Sequence, residues 1–213
     1  MADAEKPRAR DKRDRKATEE AIVAAFEAVL LRDGVAGLGV NAVANEAGVN
    51  KVLIYRYFHD LPGLARHWAS NSAFWPSELE LIGNDPEAFE NLDVRDRVIK
   101  VLCNYMDAIR SRPRTVEMLA GELVATNPTI RALGEGMVSP GHGVGEYIKL
   151  ETADKDITDR VWKMIFVVSA LTAFMSIRER NNPDFLGFDM TQDDSWEFLR
   201  DTISEIAAAY LKD

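Results

Sequence analysis

The chain of 213 residues has a single cysteine, Cys103. A disulfide within the chain and a cysteine-based zinc site within the chain are therefore excluded, and the lone thiol fits a reducing cytoplasm. Histidine is nearly as scarce: His59, His67 and His142 show no metal-ligand spacing such as HExxH. There is no GxSxG elbow and no P-loop, and the carboxylates are scattered along helical patterns as solvated faces are. An enzyme is not expected and no cofactor is implied. The glycines of "SPGHGVGEY", around His142, alternate like a phosphate loop, but no strand precedes them. The dinucleotide reading fails that test, and a loop or helix break is expected.

Long hydrophobic runs are also missing. The longest, "MIFVVSALTAFMSI" from Met164 to Ile177, falls short of the roughly 20 residues a bilayer needs, and charges flank it closely. It reads as a buried helix, with no membrane role. Residues 1–16 have no apolar core of the kind a signal peptide carries, which favours a cytoplasmic location. Convincing runs of alternating β-type residues and fixed-period repeats are absent. The fold should be all-α.

What is present is ordinary in bulk and uneven in detail. Apolar residues make up 46% and charged residues 29%, which suits a soluble globular chain and argues against wholesale disorder. The net charge is -9. Residues 1–16 hold seven basic and four acidic side chains, a balance of +3, whereas residues 17–70 stand at -2 and the remainder at -10. The whole is acidic, but binding to a polyanion depends on the local face presented. The first 16 residues read as a flexible basic arm whose Arg8, Arg10, Arg13 or Arg15 is available for phosphates or a minor groove.

From Thr18 the pattern turns helical. Ile22, Val23, Phe26, Val29 and Leu30 form one stripe, with Thr18 as its expected cap and Asp33-Gly34 as its end. Val40, Val43, Ala44 and Ala47 mark a short second helix stopped by Gly48. Asn50 is placed to cap a third, Lys51 to Phe58, and Asp60 a fourth with Pro62 in its first turn. Past the polar stretch "GNDPEAFENLD", helices are expected over Val94 to Ile109, Arg114 to Val124, Pro128 to Val138, Ile157 to Arg180 and Ser195 to Leu211. The resulting division is an arm (1–16), a helix-turn-helix domain (17–62) and a larger helical domain (63–213).

Two short helices joined by "AGVN" describe a helix-turn-helix. Gly48 relieves a positive φ, and Val49 is suited to plug the junction. On the third helix Ile54 and Phe58 lie four apart and should face the core. Lys51 is then free to donate to guanine O6 and N7, Val52 and Leu53 to pack on thymine methyls, and Tyr55, Arg56 and Tyr57 to donate to phosphates. The order of residues adds more. Ala24-Ala25-Phe26, Gly34, Val43-Ala44, Ala47-Gly48-Val49, Tyr55, Tyr57-Phe58 and Leu64 resemble the DNA-binding domain of the TetR (tetracycline repressor-like) family over about residues 18–68. The resemblance implies a three-helix head with a linking fourth helix, and a body that binds an inducer and dimerises through its last two long helices. It places Asn50, Lys51, Val52 and Leu53 at the base-facing start of the recognition helix, Tyr55 and Tyr57 at aromatic DNA-contacting positions, and Asn41 at a position that reaches DNA. Gly39, Leu53 and Leu61 depart from the family, which favours Thr, Ser or Thr, and Lys at those positions. That leaves Arg56, His59 and the arm to supply backbone contacts.

The body carries no comparable motif. The helix Ile157 to Arg180 is apolar on more than one side, and the last helix has a stripe of Trp196, Leu199, Ile203, Ile206 and Tyr210. Helices apolar all round are buried on more than one side, and the stripe of the last helix could also pack within the chain; the resemblance implies a homodimer interface of two helices per subunit. Trp75, Tyr105, Met106, Met118, Met137, Trp162 and Phe166 are candidates to line a pocket for a largely apolar small-molecule effector. The sequence thus reads as a regulator, a ligand-released repressor that binds a palindromic double-stranded DNA operator as a dimer. The alternative is a helical protein-interaction module with no DNA role.

Overall fold

The computed structural model describes residues 9–70, 74–124, 127–135, 148 and 154–212. Among them the chain forms eleven helices and one small hairpin. The helices are α1 (Ala9–Gly37), α2 (Val40–Glu46), α3 (Lys51–Phe58), α4 (Leu61–Ser70), α5 (Glu78–Leu81), α6 (Pro86–Glu90), α7 (Val94–Arg110), α8 (Pro113–Val124), α9 (Pro128–Glu135), α10 (Lys155–Asn181) and α11 (Asp193–Tyr210). Strands β1 (Asp184–Phe185) and β2 (Phe188–Asp189) pair antiparallel between α10 and α11. The fold is all-α, with a helix-turn-helix head and a helical body.

Two compact units emerge. The first holds α1 to α4, α9 and the last turn of α8; the second holds the rest of α8, α5 to α7, α10, the hairpin and α11. The expected head, 17–62, lies within the first unit, which also takes in α4 and α9 from the segment 63–213.

In the first unit the apolar stripe of α1 supplies Ile22, Phe26, Val29 and Leu30, all fully buried. Phe26 packs on Trp68 of α4 at 5.5 Å between rings, and the Trp68 indole N–H donates to Glu27 at 3.0 Å. A buried indole keeps its hydrogen bond this way at no loss of apolar packing. Val43 and Ala44 from α2, Ile54 and Phe58 from α3 and Leu64 from α4 complete the same core.

Helix α1 begins earlier than the sequence suggested. Thr18 is not a cap: its hydroxyl donates to the Asp14 carbonyl, one turn back inside a continuing helix. Ion pairs at four-residue spacing, Arg15 with Glu19 and Lys16 with Glu20, support the extension. The basic arm is therefore helical from Ala9. Arg8 and the side chains of Arg10 and Arg13 lie outside the described residues. The other end falls where expected, since Gly34 leaves helical geometry at φ 67.

In the second unit α7 packs its Val98, Val101, Leu102 and Met106 with Val161, Met164, Val168 and Met175 of α10 and Trp196, Ile203 and Ala207 of α11. Arg110 ties the three helices at one end. Its guanidinium meets Glu179 of α10 at 3.1 Å and Asp193 of α11 at 2.7 Å, and lies 5.1 Å above the Trp196 ring. Helix α10 is, among the described residues, long and apolar enough by length and composition to cross a membrane. Its core face is nonetheless occupied by α7.

Two helices and a hairpin were missed. Helices α5 and α6 fall in and beside the stretch read as merely polar, because four or five residues cannot show a helical period. Both are fixed by caps: Ser77 and Glu80 form a reciprocal capping box, and Asp85 accepts from the Ala88 N–H. The hairpin also escaped, since two-residue strands show no alternation. The helix expected to reach Val138 is described as far as Glu135, and the "SPGHGVGEY" segment lies outside the described residues; Ile148, just after it, is buried.

Backbone contact fixes the junction after α3. The Gly63 N–H donates to Asp60 at 2.6 Å, as the cap reading required. A Cβ on Gly63 would stand only 2.0 Å from the Phe58 carbonyl oxygen. Gly63→Ala should therefore destabilise the protein by about 1–3 kcal/mol, as overpacking does, measured by denaturant unfolding. Unaltered stability would show that the α3–α4 junction is loose. A second expectation concerns Glu80. Hydrogen bonds from the Ser77 backbone N–H and from Arg112 lower its pKa from 4.5 to about 2. The ionised form thus stabilises the fold above the unfolded value, and the contribution is lost as pH falls toward 2. Glu80→Gln should lower the melting temperature near pH 7 and match wild type near pH 2; a difference independent of pH would refute this origin.

Candidate nucleic-acid interface

Helix α3 has eight residues, too few to persist alone in water. Three local features hold it. The Asn50 side chain accepts from the Val52 N–H at 3.0 Å, capping its start. Ile54 and Phe58, one turn apart, anchor it in the core, where Phe58 also meets the His67 ring edge-on at 5.3 Å. The turn before it is closed by Gly48 at φ 64, where the Val49 N–H reaches back to the Ala44 carbonyl at 3.0 Å. Among the described residues no atom lies within 4 Å of a Cβ at Gly48. The backbone conformation, not space, is therefore what calls for glycine.

With one side pinned, the opposite side is free. Lys51, Val52, Tyr55 and Arg56 are all exposed, Val52 at 61% and Tyr55 at 49%. Spacings of one and four residues put these four on a single two-turn face. That face joins a cation at the helix start, a methyl-bearing knob, a phenol and a guanidinium. These groups offer hydrogen-bond donors to base acceptors and phosphates, and an apolar surface to a thymine methyl.

The other expected contact residues divide. Asn41 is exposed in the first turn of α2, and Asn50 is exposed but engaged as a cap. Leu53 and Tyr57 are only half-exposed, because they flank the buried pair. The Arg15 guanidinium of α1 lies 5.1 Å over the Tyr57 ring, so Tyr57 is held between the recognition helix and the former arm. That contact joins residues 42 positions apart in sequence and had no sequence signal. His59 is exposed at φ 70, a conformation that costs a residue with a side chain. Gly39, where the family favours Thr, stands at the N-cap of α2 with no side-chain cap, and Leu61 is half-buried at the start of α4. Arg32 bridges the ends of α1 and α2 through Glu46 at 2.8 Å.

The residues proposed to line an effector pocket do not assemble as a set. Met106 and Met118 are buried, while Trp75 and Tyr105 are half-buried. Burial raises the Tyr105 hydroxyl pKa, against a hydrogen bond with Ser169 that lowers it. Trp162 and Phe166 point the other way: both are exposed, Phe166 at 76%. They sit on the side of α10 away from its packing on α7, so they line no interior space among the described residues. Met137 lies outside the described residues. A cavity of about 510 Å³ does open at the α7 start, lined by Asp93, Val94, Arg95, Ile157, Val161, Leu211 and Lys212, none of them expected. Cys103 is partly buried against the Ser204 hydroxyl, and burial raises its thiol pKa, the opposite of an activated nucleophile.

Residues 22–60 match the family model described as bacterial regulatory proteins, tetR family. Among curated proteins none matches the chain. The matched segment begins in the apolar stripe of α1 and ends at the Asp60 cap, so it covers the α2–turn–α3 unit with its exposed face. Over residues 22–60 the chain is therefore similar to the head of the tetR-family regulatory proteins, which supports a DNA-binding transcriptional regulator.

Proposed function

We propose that the protein is a ligand-released repressor that binds a palindromic operator as a homodimer. The observation that carries the DNA-reading part is the face of Lys51, Val52, Tyr55 and Arg56 on a helix pinned from behind by Ile54 and Phe58. Two such helices, one per subunit, would enter successive major grooves about one helical turn apart. Lys51 has the most direct route to a base edge, being at the helix start. Tyr57, steadied by Arg15, and Arg56 would hold the phosphates, with Asn41 reaching from α2.

Self-association is supported by what α10 and α11 leave uncovered. Trp162, Phe166, Val167 and Phe174 on α10, and Phe198, Ile206 and Tyr210 on α11, are all exposed. A monomer rarely leaves so many large apolar side chains on two adjoining helices without a partner. Two helices from each of two chains would bury them. Trp162 and Phe166 then serve association rather than the effector.

The effector site is proposed for the body core near Trp75, Tyr105, Met106 and Met118. The buried Trp75 indole N–H and the Thr172 and Ser176 hydroxyls, all in the second unit, have no hydrogen-bond partner among the described residues. Buried polar groups left unpaired are costly, which favours an effector that is mainly apolar but carries a few hydrogen-bonding groups. Such a ligand releases DNA if it prefers a dimer geometry with a different spacing of the two α3 helices.

The test begins with genome-wide recovery of DNA bound by the purified protein, followed by titration of the recovered site. Binding should weaken steeply with salt, as phosphate contacts demand. Lys51→Ala should weaken specific binding by about 1–3 kcal/mol while leaving non-specific binding nearly unchanged. Retention of no duplex at low salt would refute the DNA-reading function and favour the protein-interaction alternative. An unchanged specific affinity in Lys51→Ala would move the base readout to Asn41 or Tyr55.

A further inference from the structure

The hairpin between α10 and α11 turns through Leu186 at φ 55 and Gly187 at φ 86. Two-residue hairpin turns with both φ values positive strongly favour Asn, Asp or Gly at the first position. A leucine there is disfavoured twice over. Its Cβ crowds the left-handed backbone, and its side chain is 83% exposed.

The hairpin is nevertheless held firmly. Phe185 on β1 meets Phe174 of α10 edge-on at 5.8 Å, and Phe188 on β2 stacks on Phe198 of α11 at 4.7 Å. The Arg178 guanidinium lies 5.4 Å over Phe185 and donates to the Asp184 carbonyl. Phe174 and Phe198 belong to the exposed apolar faces of their helices. The uncovered surface therefore runs from both helices onto the hairpin without a break, and Leu186 stands at its tip.

We propose that the hairpin is a clasp on a second copy of this chain, with Leu186 as its apolar anchor. This rests on the self-association proposed above and extends it beyond the two helices. Charge supports a second copy as the occupant. Lys163 lies beside Trp162 and Phe166 on α10, a helix with a net charge of +2, while Asp201 and Glu205 lie near Phe198 and Ile206 on α11, a helix at -4. A twofold interface presents the same patch from both sides, so α10 of each copy has an oppositely charged α11 available on the other. An anionic lipid surface would instead be repelled by α11.

The test is the dimer dissociation constant, measured by sedimentation over a dilution series for wild type, Leu186→Asn and Phe166→Glu. Asparagine suits the turn, so Leu186→Asn should fold with an undiminished helical signal. It should nevertheless weaken the dimer by roughly tenfold or more, because the anchor is lost on both sides of the twofold. If Leu186→Asn dimerises as tightly as wild type while Phe166→Glu dissociates, the clasp is refuted and the helical interface stands. A wild-type chain that stays monomeric throughout the series would refute both.

Discussion

A two-turn helix with one side in the core is the constraint on which the proposed DNA recognition rests. Helix α3 cannot hold itself together, so its geometry is whatever Ile54, Phe58, the Asn50 cap and the junction at Gly63 impose. Each of these acts from the inner side or the ends. None uses Lys51, Val52, Tyr55 or Arg56, and this division is what leaves a chemically varied face available for a duplex. Groups aimed at base edges gain specificity from being held in place before contact, because less ordering remains to be done on binding.

The second unit follows the same rule at larger scale. Helix α10 covers one face with α7 and leaves another apolar face open, and α11 does likewise. Arg110 links them at one end through Glu179, Asp193 and the Trp196 ring. The open apolar face suits a partner, and the proposed second copy would cover it. The acidic excess of the chain resides outside the first 70 residues. An anionic whole is thus compatible with a head that meets DNA.

The head was legible in the sequence because its signals are local. Asn50, Ile54 and Phe58 declare a capped helix with a buried side at fixed spacing, and Gly48 declares the turn. Features that depend on distant residues left no such trace. Nothing in the sequence sets Arg15 over Tyr57, and nothing in Leu61-Pro62-Gly63 reveals that a Cβ would strike the Phe58 carbonyl. Thr18 misled because a cap residue also fits inside a helix when its hydroxyl bonds back one turn. Trp162 and Phe166 misled because apolarity shows that a side chain seeks cover but not whether the cover is its own core or another chain. The hairpin was invisible because its turn has leucine where asparagine would have announced it.

A pair of α3 helices, one per subunit, is proposed to read base edges in the major groove. Methylation interference on the recovered operator tests it directly, since methylating guanine N7 blocks a major-groove acceptor and leaves the phosphates intact. Interference is expected at two symmetric clusters whose centres lie about 10 base pairs, or a multiple of that, apart. Binding indifferent to guanine N7 methylation, or interference at one cluster alone, would contradict it.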